Sequence, residues 1–268
     1  LQETVARFFE SNYKDIKKRS EYLDMNDGFS RDFWKESSNL GVISGLIPPT
    51  FGGLGGSDED ISIIFELIGK SLCIEPFLSS GLLSSTILTS IKNPKTELIN
   101  QIIDGELLIS FAHMEMNNRY EDHFVETKAF LENDNWKLNG SKSFVINGDS
   151  ADKVIVSARI DGEINDKNGI GLFLVDNSQI KNRSYNTIDG YRAAELNFDN
   201  VNAELLCKND LALECIIKAN SAGALGLSAE AVGIMQVCFD LTLDYLKTRK
   251  QFGKSIGAFQ SIQHRMVD

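Results

Sequence analysis

Tyr245-Leu-Lys-Thr-Arg-Lys-Gln-Phe-Gly-Lys-Ser-Ile-Gly-Ala-Phe-Gln-Ser-Ile-Gln-His264 is the stretch on which the reading of this chain turns. It reads as the end of one helix, a tight glycine turn and the start of a second helix. Lys247, Arg249 and Lys250 fall in the last turn of the first helix, where the macrodipole is negative and cations are favoured. Gly253 suits the left-handed conformation that ends a helix, and Gly257 loosens the chain before an apolar, amide-rich turn. Gly253-Lys-Ser255 has the letters that end a phosphate-binding loop. The earlier glycine of that pattern falls at Thr248 and no strand precedes it, so the pattern is rejected.

Upstream of this stretch, residues 209–249 contain no proline and read as one long helix. Its centre is rich in small residues, with Gly223, Gly226 and Gly233 among alanines and serines. Each glycine costs a helix about 1 kcal/mol relative to alanine. Their presence therefore predicts close approach by another helix or a ligand, as in a helical bundle.

Before that helix the hydrophobic pattern is strand-like. Leu107–Ala112, Ala129–Leu131, Trp136–Leu138, Ser143–Ile146, Val154–Ala158, Gly171–Val175 and Ala194–Phe198 are short apolar runs between polar turns. Asn133-Asp134-Asn135 and Asn139-Gly140 are hairpin signals. After Val201 the pattern reverts to helix. Residues before Gly105 are helical with short connections: 1–25, a helix capped by Ser30, one capped by Ser57 with Asp58, Glu59 and Asp60 in its first turn, then 78–92 and 95–104. Gly41–Gly56, with two prolines and dense glycines, reads as a loop whose backbone passes close to another element. The expected class is α+β: an N-terminal α-helical domain (1–106), a central antiparallel β-domain (107–206) and the start of a C-terminal four-helix bundle (207–268).

Composition narrows the function. The 268 residues are 42% hydrophobic, enough for a sizeable core. A net charge of −11 does not suit a protein that reads the nucleic-acid backbone. Cys73, Cys207, Cys215 and Cys238 are far apart and match no CxxC pattern, which predicts reduced thiols acting as small core residues in a cytoplasmic protein. His113, His123 and His264 form no metal pattern. No apolar run approaches about 18 residues, so no membrane span is expected. Leu1 and Asp268 each sit inside a helical pattern, which reads as a fragment.

The residues of the opening stretch, Tyr245…Arg249-Lys-Gln-Phe-Gly253…Ile256…Phe259-Gln260…Gln263-His264, resemble the signature of the acyl-CoA dehydrogenase family. Phe51-Gly-Gly-Leu-Gly55, Glu75-Pro76-Phe77, Leu138-Asn-Gly-Ser-Lys142, Asn147-Gly-Asp-Ser-Ala-Asp152 and Gly190-Tyr-Arg-Ala-Ala-Glu-Leu196 fit in order, over nearly the whole chain. Arg119-Tyr120 and Ala229-Glu-Ala-Val-Gly233 are closest to the bacterial pimeloyl-CoA dehydrogenase small-subunit group.

The resemblance implies an FAD-dependent oxidoreductase acting on an acyl-CoA thioester. It also implies electron-transfer flavoprotein as partner, and a homo- or heterotetramer whose FAD is shared across a dimer interface. It places Arg249 on the FAD pyrophosphate of a neighbouring subunit, Gln251 and Phe252 along the same cofactor, and Phe259 and Gln260 near the adenine. Phe111, His113 and Met114 fall on one flavin-contacting strand, and Phe144 and Ile146 on a second. The family's threonines stand where this chain has Met114 and Ile146, and Ile146 has no hydroxyl to offer the flavin's reactive nitrogen. The family's usual base falls beyond Asp268, and its minority position falls at Gly223. Glu230 is a weaker candidate, set against a carboxylate paired with Arg or Lys. The family's arginine for CoA falls at Ala224. Two alternatives stay open: a catalytically degraded subunit that lends FAD contacts to a partner, and a cofactor-free helical interaction protein.

Overall fold

The computed structural model describes residues 2–118 and 120–268, so Arg119 of the Arg119-Tyr120 pair lies outside the described residues. The first part is helical: α1 (Gln2–Tyr13), α2 (Ile16–Leu23), α3 (Arg31–Asn39), α4 (Asp58–Ser71), α5 (Ser85–Ser90) and α6 (Thr96–Ile103). Local chemistry sets the boundaries. Asp15 accepts the Lys17 N–H and so divides the stretch 1–25 into two helices. Ser30 Oγ accepts the Phe33 N–H at 3.1 Å. Ser57 and Asp60 satisfy each other's backbone N–H in a capping box.

The stretch expected as one helix over 78–92 is instead a wide π-type helix, Phe77–Ser84, that tightens into α5. Such widening recurs at functional sites. Gly41–Gly56 is a loop, as its prolines predict. A Cβ on Gly53 would lie 1.8 Å from the Ile47 carbonyl oxygen, so the glycine serves the loop's own close packing.

Seven strands follow: β1 (Ile109–Ala112), β2 (Lys128–Glu132), β3 (Asn135–Ile146), β4 (Lys153–Arg159), β5 (Ile170–Asp176), β6 (Lys181–Asn186) and β7 (Arg192–Lys208). β4 pairs antiparallel with β5, β5 with β7, β7 with β3 and β3 with β2. The sheet is not wholly antiparallel, because β1 runs parallel to β4, and β2 returns to β4 through Lys128 and Arg159. β6 lines the edge of β7.

Three features depart from the sequence reading. Trp136–Leu138 and Ser143–Ile146 belong to one strand, and Asn139-Gly140 is a bulge in it rather than a hairpin, with the register against β7 shifting between Leu138 and Gly140. Asn133 and Asp134, at φ 49 and 63°, do turn the β2–β3 hairpin. No apolar alternation marks β6, because Lys181–Asn186 is an exposed edge. β7 continues past Val201 to Lys208 before the helix begins.

The long helix α7 (Asp210–Thr248) crosses α4 where both backbones lack side chains. A Cβ on Gly69 would lie 2.0 Å from the Glu230 carbonyl oxygen, and one on Gly233 would lie 2.1 Å from that of Glu66. This is the close approach that the small residues predict. By length and composition α7 also suffices to cross a membrane, with a mean hydropathy of 1.4 over 18 residues, contrary to the expectation that no stretch reaches that level.

Gly253 does not cap α7. The helix stops at Thr248, and Phe252 and Gly253 (φ 52 and 80°) turn a short hairpin, β8 (Lys250–Gln251) and β9 (Lys254–Ser255), ahead of α8 (Gln260–Val267). The Ile256 N–H reaches back to the Arg249 carbonyl at 2.9 Å and closes that hairpin. Cys73, Cys207 and Cys215 are buried as expected, while Cys238 is exposed and is no part of the core.

One buried acid makes folding pH-dependent. The Tyr13 hydroxyl lies 2.8 and 2.7 Å from the two Glu75 carboxyl oxygens, and Glu75 is only 1% exposed. Burial raises this carboxyl from 4.5 to about 7 despite the Tyr13 hydrogen bond. The folded state therefore holds a proton that the unfolded state has already released. The stability from Glu75 is full below pH 4.5 and is lost as pH rises through about 7, a difference on the order of 3 kcal/mol. Urea midpoints of wild type and Glu75→Gln between pH 4.5 and 8 should diverge in that sense, the wild type losing stability relative to the variant as pH rises. Parallel curves would refute it.

Candidate functional site

A cavity of about 440 Å³ opens where the sheet, the π-type helix and α7 meet. Phe111, His113 and Met114 line it from the end of β1, Phe144 and Ile146 from the end of β3, and Leu78, Ser79 and Leu83 from the π-type helix. Asn118, Tyr120 and Asp122 come from the following loop, and Asn220, Gly223, Ala224 and Leu227 from α7. Asn220 Nδ2 donates to Asp122 Oδ1 at 2.6 Å and ties the loop to the helix.

The Phe144 ring reaches this cavity because β3 bulges. Its register against β7 shifts between Lys142 and Val145, and Phe144 itself sits at φ 52°. That is a strained angle for a bulky residue, and a bulge is the usual way for a strand to re-aim a side chain. The Ser143 N–H holds the bulge against the Met114 carbonyl at 2.8 Å. At the α7 wall, Gly223 leaves room for Leu83, whose Cδ2 would lie 2.8 Å from an added Cβ.

Behind the cavity wall lies a buried polar network. Lys142 is 1% exposed and donates to Glu115 Oε1 at 2.5 Å, to the His113 carbonyl at 3.1 Å and to Ser157 Oγ at 2.9 Å. Burial, only partly offset by Glu115, pulls the ammonium down to about 8. Burial acts the other way on Glu115, but the Lys142 charge and the Glu126 and Thr127 N–H groups outweigh it, so this carboxyl lies below its ordinary value. His113 Nδ1 lies 2.9 Å from Ser157 Oγ, while its Nε2 is buried with no partner among the described residues. Burial and then Lys142 push His113 down to about 3, so the ring is neutral.

The second group of expected site residues lies elsewhere. Arg249, Gln251, Phe252 and Gln260 are exposed at the far end of α7 and in the segment that follows. Phe252 is 92% exposed and lies edge-on to Phe259, at 6.3 Å between ring centroids. Lys254 Nζ sits 4.4 Å above the Phe259 ring. At about 1.5 Å of rise per residue, Arg249 is about 39 Å from Gly223 along α7. The structure therefore brings the five β-domain candidates together and keeps Arg249, Gln251, Phe252, Phe259 and Gln260 apart from them.

Glu230 is not at the cavity. It sits beneath the α4–α7 crossing, where the Tyr191 hydroxyl approaches its Oε1 at 3.4 Å. Its partner is thus a tyrosine, not the Arg or Lys expected of a structural carboxylate, and burial raises its pKa. Ser157, Asp122 and Asn220 are residues at or behind the cavity wall that the sequence reading passed over, and Lys142 entered it only as part of Leu138–Lys142, with no role assigned. Ser157 had a signal of its own, a polar residue inside the apolar run Val154-Ile-Val-Ser-Ala158.

Three family models match the chain in order: acyl-CoA dehydrogenase N-terminal domain over residues 1–106, middle domain over 110–201 and C-terminal domain over 213–268. The mitochondrial isovaleryl-CoA dehydrogenase of Pongo abelii is 27% identical across 100% of this chain and 66% of its own length. The mitochondrial long-chain specific acyl-CoA dehydrogenase of Sus scrofa is 29% identical across 100% and 64%. The chain thus spans just under two thirds of these relatives. The structure of butyryl-CoA dehydrogenase from Megasphaera elsdenii shares the fold, with a TM-score of 0.87 and 21% identity over 100% of this chain and 74% of that one.

Proposed function

Because this chain belongs to the acyl-CoA dehydrogenase family, we propose that it works in an FAD-dependent α,β-dehydrogenation of an acyl-CoA thioester, with electrons passed to an electron-transfer flavoprotein. The observation that carries this reading is the convergence of Phe111, His113, Met114, Phe144 and Ile146 on one cavity. Two features there suit a flat heterocycle that accepts hydrogen bonds. Phe144 offers an aromatic ring, and His113 Nε2 is a buried polar atom in need of a partner. When bound, FAD supplies the hydride acceptor.

The chain's own part is to hold and shield. Leu78, Leu83, Ile146 and Leu227 make the walls apolar and keep water from the reacting carbons. Neither Gly223, which has no side chain, nor Glu230, which is off the cavity, takes the α-proton. Arg249, Gln251, Phe252, Phe259 and Gln260 form a clamp offered to the FAD of a second subunit, since they lie too far from this cavity to serve it. A guanidinium is a permanently charged fork suited to pyrophosphate.

FAD titration of the purified protein tests the reading, and a protein that stays colourless overturns it. Arg249→Ala should lower FAD retention by the assembly tenfold or more, the value of about 1.5–3 kcal/mol for a hydrogen bond to a charged group. As Arg249 is exposed, folding stability should change by no more than about 0.5 kcal/mol. Unchanged flavin content in that variant would remove the clamp.

A second reading is favoured by Met114 and Ile146, which line the cavity without the hydroxyls that the family's threonines carry at these positions. The chain would then be a catalytically silent subunit that lends the clamp to a partner. Bleaching of the flavin by acyl-CoA in the protein alone would exclude it.

A further inference from the structure

His113 has one ring nitrogen engaged and one idle, and the engaged side decides what the idle side can do. The ring is 6% exposed and lies at the cavity wall, nearly parallel to Phe111 with 5.8 Å between centroids. An ammonium has three protons and accepts nothing. Those of Lys142 go to Glu115 Oε1, to the His113 carbonyl and to Ser157 Oγ. Ser157 Oγ thus receives a proton from Lys142, and among the described residues its own hydrogen has one acceptor within reach, His113 Nδ1 at 2.9 Å. An Nδ1 that accepts is unprotonated. In a neutral imidazole the hydrogen then sits on Nε2, which points away from Ser157 and has no partner among the described residues.

We propose that His113 is a hydrogen-bond donor of the cavity wall, a neutral imidazole locked by Lys142 and Ser157, whose unpartnered Nε2–H is shielded from water and pairs with a ligand acceptor when a bound ligand shifts the wall around the ring. The matching ligand atom is an acceptor, a carbonyl oxygen or an imine-type ring nitrogen, on the edge of a planar heterocycle. The identity of that heterocycle as flavin rests on the function proposed above. On that reading His113 provides a donor in a cavity where Ile146 offers none. A buried N–H without a partner is costly, and a bound acceptor recovers that cost.

The lock is measured without any ligand. Protein labelled with ¹⁵N-histidine should show His113 protonated on Nε2 and unprotonated on Nδ1, unchanged from pH 5 to 7, below the range in which Lys142, at about 8, loses its proton. Ser157→Ala should lose this single-tautomer signature. On FAD addition the Nε2–H resonance should shift. His113→Leu should weaken FAD binding about tenfold by fluorescence titration, as expected for one lost hydrogen bond. His113→Gln, which keeps an amide donor, should recover part of that loss. An Nδ1–H tautomer, or wild-type FAD affinity in a folded His113→Leu protein, overturns the proposal. If the wild type takes up no FAD, the cofactor reading falls, while the tautomer in the same sample still decides the lock.

Discussion

Lys142→Met is expected to lower folding stability by about 3–5 kcal/mol, the range for breaking a buried ion pair from one side. The methionine fills much of the same space, so the loss is electrostatic. Glu115, 3% exposed, would keep the backbone N–H groups of Glu126 and Thr127, at 2.6 and 3.0 Å, but lose its cation. The His113 carbonyl and Ser157 Oγ would each lose a donor. Urea denaturation near pH 7 measures the effect. The same substitution in a Glu115→Gln background should cost at least about 1 kcal/mol less, since the uncompensated charge is then gone. A loss below about 1 kcal/mol in the single variant would show that the Lys142–Glu115 pair does not hold this part of the fold. The variant also probes the site, because the His113 tautomer should lose its preference along with the fold's margin.

Gly233→Ala should have an effect of similar size for a steric reason. The added methyl would lie 2.1 Å from the Glu66 carbonyl oxygen and 3.0 Å from the Lys70 nitrogen. Both are helix backbone, which cannot swing aside as a side chain can. Alanine gains about 1 kcal/mol of helix propensity over glycine, against which the forced separation of α4 and α7 sets a penalty of up to about 3 kcal/mol or more. The net expectation is a loss of about 2 kcal/mol. Gly69→Ala, facing the Glu230 carbonyl at 2.0 Å, should behave alike. The two together should cost less than their sum, because helices already parted have room for the second methyl. Thermal unfolding of the three variants decides this, and a stability gain in either single variant would refute the crossing. Parting α4 from α7 also moves Gly223 and Ala224 at the cavity wall, so FAD uptake should fall in the same variants.

Much of the architecture is local and was legible for that reason. Ser30 and Ser57 cap helices through bonds to residues three positions away, and such contacts are written in the sequence order itself. Asn133-Asp134 turns a hairpin because those residue types tolerate positive φ. The glycines of α7 announced a close neighbour without naming it. The misread features depend on partners distant in sequence. Asn139-Gly140 looks like a turn, but β7 continues alongside it and makes it a bulge. β6 has no pattern of its own because only its pairing with β7 makes it a strand. Gly253 turns a hairpin rather than ending α7, and the long reach of Ile256 to Arg249 decides between the two.

The site divides in the same way. Sequence by itself determined the α–β–α order, the family, and which residues stand at the matched positions, because helix caps, periodicity and motif spacing are properties of neighbouring residues. Only the tertiary structure decided how those residues are grouped. It set Phe144 in the cavity through a strained bulge, removed Glu230 to a tyrosine beneath a helix crossing, and joined His113 to Lys142 and Ser157. It also separated Arg249 from the cavity by the length of a rigid helix. Side-chain direction, burial and the choice of hydrogen-bond partner arise where chain segments meet, and no single segment carries that information.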